Sequence, residues 1–288
     1  MGSSLLLFAA GLAVTFALAL PLARLLVGRA SGDDGGAGGA TGPLRPLADK
    51  VDPWGAAAVI VIAGAAATAA LVWLLGEALV RLQSSVDTPV YDWMGDHAPK
   101  GAWWPRLNQA VTEMGNSRPS QVVVVVSSVA LAVLWRRRAW WLPPLAIVAT
   151  YLAERFGQQF LKAQVPRLHP AGSQLGGYPS GGVARVVAVW GIVAILTLLV
   201  LPSLSRPARV LVWTALAVAA YVEGWTRTYL LRHWLTDVLA GLVFGGLLLA
   251  VSATATLVLA RATDRRPLTR RSPNKVGFGK RRHPAAVD

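Results

Sequence analysis

Cysteine is absent from the 288 residues, which excludes a disulfide framework and any thiolate metal site and leaves the redox compartment open. Charge is scarce as well: Asp, Glu, Lys and Arg make up 15% of the chain against 54% hydrophobic residues. The apolar residues stand in long blocks instead of at amphipathic spacing, a composition soluble domains seldom show and membrane bundles require. The charge present leans to one sign, with 28 Lys and Arg against 14 Asp and Glu and a formal net charge of +14. Such an excess points to nucleic acid where a basic stretch has a fold or interleaved aromatics. Here it gathers in short loops beside apolar blocks and in the C-terminal stretch, the pattern of membrane topology, so no nucleic-acid partner is expected.

A block of about 20 apolar residues crosses the hydrocarbon core as a helix, because every backbone polar group must be satisfied internally. Seven blocks qualify: residues 4–27, 54–80, 121–135, 139–160, 183–204, 210–225 and 233–260. The predicted fold class is therefore all-α, a polytopic transmembrane helix bundle of about seven spans. No basic residue precedes the first block, and Arg24 and Arg29 follow it, so it reads as an uncleaved anchor with its N-terminus outside. The basic groups at 24–50, at Arg136, Arg137 and Arg138, at Arg206 with Arg209, and at 261–282 then all fall on the cytoplasmic side. Expected domains are an extra N-terminal anchor at 1–28, a flexible cytoplasmic linker at 29–53, a membrane-embedded domain at 54–260 and a basic, disordered cytoplasmic tail at 261–288. The linker includes a Gly-rich run with Asp33 and Asp34 that buries too little to fold. Between the second and third blocks, Trp93, Trp103, Trp104 and Pro105 suggest a segment lying in the outer interface.

This topology brings three polar stretches to the outer face: residues 162–170, 178–185 and 226–237. Convergence of ionisable groups from separate spans marks a site, since such groups are costly inside a membrane. In the third stretch His233 and Asp237 are four apart at the start of a helix, where a carboxylate on the same face orients an imidazole and stabilises its charged form. Arg227 precedes them as a guanidinium suited to phosphate. In the second stretch Ser180 and Gly181 follow Pro179 just ahead of a span, where helix N-terminal amides and a hydroxyl make an anion site. Each has a plainer reading taken alone: a cap, a helix start, and for Lys162 a lysine reaching the interface. Glu154, Gln158 and Lys162 are spaced four apart, and Glu223 precedes Arg227 by four, so both carboxylates are expected to support cations of the site.

Taken in order on one side of the membrane, the three stretches resemble the tripartite signature of the type-2 phosphatidic-acid phosphatase family, which shares its site with vanadium haloperoxidases. Lys162, Pro170, Pro179, Ser180, Gly181, Arg227, His233 and Asp237 stand at matching positions. The resemblance covers roughly residues 85–259, six of the seven blocks. It implies an integral membrane phosphatase of the cell membrane, acting on lipid phosphates or polyprenyl (di)phosphates at the outer leaflet. His233 would attack phosphorus and form a phosphohistidine, with Asp237 holding its ring. Lys162, Arg227, Ser180 and Gly181 would bind the phosphoryl oxygens. The resemblance implies no cofactor and no metal.

Two positions depart from the pattern. Gly182 stands where the family has the histidine that protonates the leaving oxygen, and His169 where it has a phosphate-binding arginine. Thr226 for serine is milder. Loss of a general acid costs about 10²–10⁴-fold, most for poor leaving groups. Three consequences are open. His169 takes over as catalytic acid, with Arg167 or Arg185 restoring phosphate-binding charge; or the substrate is a diphosphate, whose leaving group needs little protonation; or the chain binds lipid phosphates without hydrolysing them. A transport path through the bundle competes, but the remaining blocks offer no polar stripe to continue it.

Overall fold

The structure, a computed structural model, describes residues 52–97, 101, 103–170, 172 and 176–264. The expected first span, nearly all of the linker and the tail beyond Asp264 lie outside these residues. Helix α1 (Pro53–Val80) starts where Asp52 accepts a hydrogen bond from the Gly55 amide at 3.1 Å and Pro53 occupies the first turn, whose amides need no helical partner. A π-helical turn (Gln83–Asp87) leads into two short helices, α2 (Thr88–His97) and α3 (Trp103–Thr112). After a 3-10 turn (Glu113–Gly115) come α4 (Ser117–Leu134) and α5 (Leu142–Gln164). The chain closes with α6 (Gly181–Val200), α7 (Arg206–Tyr229) and α8 (Leu235–Asp264).

Four of these, α1, α4, α6 and α8, are long and apolar enough to cross a membrane. Helices α5 and α7, of 23 and 24 residues, have the same reach of about 35 Å. They fall short in hydropathy because they carry Glu154, Lys162, Glu223 and Arg227. The apolar faces that point away from the bundle, among them Val59, Ile62, Val122, Val125, Val126 and Phe156, are exposed, as lipid contact requires. The chain is thus an all-α transmembrane bundle, as its apolar blocks predict, and α2 and α3 occupy the tryptophan-bearing segment between the second and third blocks.

Two packing arrangements position the site. Helix α8 lies along α1 and against the start of α6, and the latter contact needs glycine: a Cβ on Gly241 would sit 2.6 Å from the Ser180 carbonyl, and one on Gly245 2.7 Å from that of Ala184. Tyr178, fully buried, hydrogen-bonds the Val72 carbonyl of α1 at 2.5 Å and so fixes the loop before α6. On the other side Met94 and Trp104 from α2 and α3 pack on Trp225 and Tyr229 of α7.

Among the boundaries that differ from expectation, three change how a residue is read. Helix α7 runs a turn past Trp225 to Tyr229, so Arg227 is held on the helix one turn above Glu223. Helix α8 starts at Leu235, so His233 lies in the preceding turn and not on one helical face with Asp237. The cause is the link itself: Leu231 takes φ 55° and the amides of Arg232 and His233 both return to the Arg227 carbonyl. At its other end α8 continues to Asp264, so residues 261–264, free of helix breakers, are not tail.

Candidate active site

His233 is held in the short connection between α7 and α8 and is 8% exposed. Its Nδ1 lies 2.8 Å from the Gly177 carbonyl oxygen. A carbonyl only accepts, so Nδ1 carries the proton and Nε2 keeps its lone pair. Burial holds the His233 ring below the usual imidazole range, opposed by the nearby Asp237 carboxylate, so at neutral pH the ring is uncharged. The carboxylate expected to orient the ring is 3.8 Å from Nδ1, ion-pair range but no hydrogen bond. Asp237 is occupied elsewhere: Oδ2 accepts from the Trp234 amide at 3.1 Å and Oδ1 from Arg167 Nη1 at 2.8 Å. The direct orienting group is therefore the Gly177 carbonyl, with Asp237 as the negative charge beside the ring.

The start of α6 faces this histidine's neighbourhood. Ser180 caps the helix, its amide bonded to the Asp237 carbonyl at 3.0 Å. Its hydroxyl, fully buried, has no hydrogen-bond partner among the described residues. Gly181 and Gly182 follow with buried amides in the first turn, which carries the positive end of the helix dipole. Arg227 Nε bonds Glu223 at 2.7 Å, and its Nη2 bonds Asn116 Oδ1 at 2.7 Å and the Thr112 carbonyl at 3.1 Å. Arg185 bonds Glu154 at 2.8 Å, the Gly115 carbonyl at 2.6 Å and Gln158 at 3.3 Å. Both arginines are thereby fixed against the 3-10 turn and the residues that flank it. Lys162, half-buried at the end of α5, has no ion pair with any described residue. Glu223 supports Arg227 as its spacing suggests, but Glu154 pairs with Arg185 instead of Lys162.

At Gly182 the departure from the family pattern has a physical counterpart. A Cβ there would lie 2.4 Å from Glu223 Oε1 and 2.6 Å from Arg227 Nη2, and one on Gly115 2.2 Å from the same carboxylate oxygen. The Glu223–Arg227 pair fills the space beside both glycines, and no side chain fits at position 182 without moving it. His169 sits across from the nucleophile candidate, its ring centroid 5.2 Å from that of His233. Its Nδ1 bonds the Arg232 carbonyl at 2.7 Å, which leaves Nε2 as its second proton site.

Arg167 departs from the expected phosphate contact. Its buried guanidinium is taken up by Asp87, Asp237 and Thr236, the last at 2.7 Å. Asp87 was not singled out in the sequence: it comes from the π-helical turn, 80 residues from Arg167, in a segment marked mainly by tryptophans. Gly177, Asn116 and Thr236 were missed for the same reason, since they contribute carbonyls and short polar groups without a pattern of their own.

A membrane-embedded helical bundle with a histidine beside buried cations is the class that fold and site define. The sequence model of the PAP2 superfamily matches residues 151–259. Phosphatidylglycerophosphatase B of Bacillus subtilis (strain 168) is 26% identical over 151 residues, 51% of this chain and 72% of the relative. The crystal structure of a transmembrane PAP2-type phosphatidylglycerolphosphate phosphatase from Bacillus subtilis superposes with a TM-score of 0.58 at 21% identity, covering 71% of this chain and 98% of that one. That last likeness speaks for the fold. Over residues 151–259 the chain is similar to the PAP2 superfamily, in the segment that holds all three polar stretches.

Proposed function

We propose that the chain hydrolyses a lipid phosphate or polyprenyl diphosphate at the outer leaflet through a phosphohistidine on His233. The observation that carries this reading is the tautomer set by Gly177: a buried, uncharged imidazole with its Nε2 lone pair free is a nucleophile. Nε2 attacks phosphorus, the bond from phosphorus to the lipid-side oxygen breaks, and the ring becomes an N-phosphoryl imidazolium beside Asp237. Water then attacks phosphorus, the P–N bond breaks and inorganic phosphate leaves. Lys162, Arg227, the Ser180 hydroxyl and the Gly181 amide hold the phosphoryl oxygens, and their fixed geometry counts most as charge shifts in the transition state. Arg185 acts through the turn it anchors.

His169 is the proton donor to the leaving oxygen in this reading, through Nε2. Gly182 supplies none, which favours substrates whose leaving group is a phosphate over those that release an alkoxide. The proposed orientation places the N-terminus and the site outside, and the basic tail inside. The same reading makes 1–28 an anchor, 29–53 a linker and 261–288 a basic tail whose first four residues continue α8.

The test is phosphate release by purified protein in detergent, without added metal, from a prenyl diphosphate and from phosphatidic acid, with His233→Ala as blank. Release that disappears in the variant is expected, with the diphosphate turned over faster. Saturable binding of either lipid with no release would instead mark a binding protein and sink the hydrolase reading.

A further inference from the structure

Asp87 reaches the site from outside every stretch that resembles the family signature. It ends the π-helical turn after α1 and is 1% exposed. Its Oδ1 accepts the Thr236 amide at 2.9 Å, and its Oδ2 accepts the Thr236 hydroxyl at 2.6 Å and pairs with Arg167 Nη2. The carboxylate therefore caps the first turn of α8 from a different helix, where a negative charge answers unpaired amides and the dipole.

A cap alone would end there, but these contacts continue to the nucleophile by two routes. Through the side chain, Arg167 Nη1 bonds Asp237 Oδ1 at 2.8 Å, and Asp237 Oδ2 stands 3.8 Å from His233 Nδ1. Through the backbone, the Arg167 carbonyl accepts the amides of Gly176 and Gly177 at 3.0 and 3.1 Å, and the Gly177 carbonyl accepts His233 Nδ1–H. Both groups that face Nδ1 are thus set by Arg167, and Asp87 fixes Arg167. The formal charges matter as well. Two carboxylates against one guanidinium leave one negative charge buried behind a ring that turns cationic on attack, while Arg227 and His169 face the same ring with opposite effect.

We propose that Asp87 is a positioning residue: with Arg167 it sets the place and charge of Asp237 and so holds His233 for attack. The proposal rests on the phosphatase reading for its effect on turnover, but not for its effect on His233 itself.

The test uses the full chain in detergent micelles with Asp87→Asn, which keeps the shape and removes the charge, and Thr236→Val, which removes the hydroxyl shared by Asp87 and Arg167. Steady-state release from a prenyl diphosphate is measured beside the pH titration of isotopically labelled His233, assigned with His233→Ala. For Asp87→Asn, kcat is expected to fall about 10²-fold, as for a small misplacement of a reacting group, with KM within about twofold. The His233 titration is expected to move down by about one pH unit, a tenfold loss of proton affinity, because the imidazolium loses a compensating charge. Thr236→Val is expected to move both readouts in the same direction by less, and it decides the matter if Asp87→Asn does not fold. Folded variants with wild-type turnover and an unmoved His233 titration would overturn the proposal, as would a lowered melting temperature alone, which marks a mere cap. If the wild-type chain releases no phosphate, the hydrolase reading fails, and the titration shift alone still decides this one.

Discussion

At one end of the bundle Leu142, Ile147, Ile192, Leu196 and Leu259 pack into a single apolar cluster; at the other Asp87, Glu154, Arg167, Arg185, Glu223, Arg227 and Asp237 are all buried around the starts of α6 and α8. Hydrocarbon packing holds the first region together with little demand on residue identity beyond size. The second holds only because every charge has a partner: Glu154 with Arg185, Glu223 with Arg227, and Asp87 with Asp237 across Arg167. Buried pairs give little net stability but are costly to break singly. Such a network persists at one end of a membrane protein as a rigid frame for polar chemistry, and the groups it leaves without ion-pair or hydrogen-bond partners among the described residues, Lys162 and the Ser180 hydroxyl, are those assigned to the phosphoryl group.

Breaking the polar end at its reacting atom is expected to have the largest effect. His233→Ala should reduce phosphate release to the blank while the protein still folds, checked by size-exclusion profile and melting temperature. Next is Arg227→Ala, which strands the Glu223 carboxylate in the interior. A loss of about 3–5 kcal/mol in stability is expected from thermal unfolding, together with a turnover loss of about 10²–10³-fold. Gly182→His sharpens the comparison, because restoring the family's residue should not restore its chemistry. The new side chain must displace the Glu223–Arg227 pair, so activity should fall about tenfold or more, in line with about 1–3 kcal/mol of overpacking; a gain on phosphatidic acid would show that the space opens. At the apolar end Leu196→Ala should lower stability by about 2–5 kcal/mol yet leave kcat within about twofold at a temperature where the variant is folded.

The pH dependence belongs to the polar end. His233 is held below its ordinary value of about 6.5 by burial, so the nucleophilic form should persist as pH falls through 6.5 and the acid limb of kcat/KM should lie below it. The sign for stability is the same. Because the folded value lies below the unfolded one, the unfolded chain binds the proton more tightly, and stability is full above about pH 6.5 and lost as pH falls toward the folded value.

Four of the seven apolar blocks, those of α1, α4, α6 and α8, were legible as spans because bilayer thickness imposes a length on each, and α1 matches its block almost residue for residue; the first block lies outside the described residues. Arg227, Ser180, Gly181 and His233 enter the proposed site through motif order, and the i, i+4 spacing named Glu223 as the partner of Arg227, which the ion pair bears out. Spacing failed where a tertiary partner was better placed. Glu154 chose Arg185 over Lys162, and Asp237 gave its oxygens to Arg167 and the Trp234 amide, leaving the Gly177 carbonyl to hold the ring. Asp87 was beyond reach because its contact to Thr236 spans 149 residues, and nothing local distinguishes it from an interfacial acid.

The most direct test of the account is to mix the chain with a prenyl diphosphate labelled in its terminal phosphate and quench within one turnover. The expected result is label on the protein that is stable to alkali, released by acid, and absent from His233→Ala. Phosphate release at the normal rate with no labelled protein at any quench time would contradict it, since water rather than His233 would then be the attacking group.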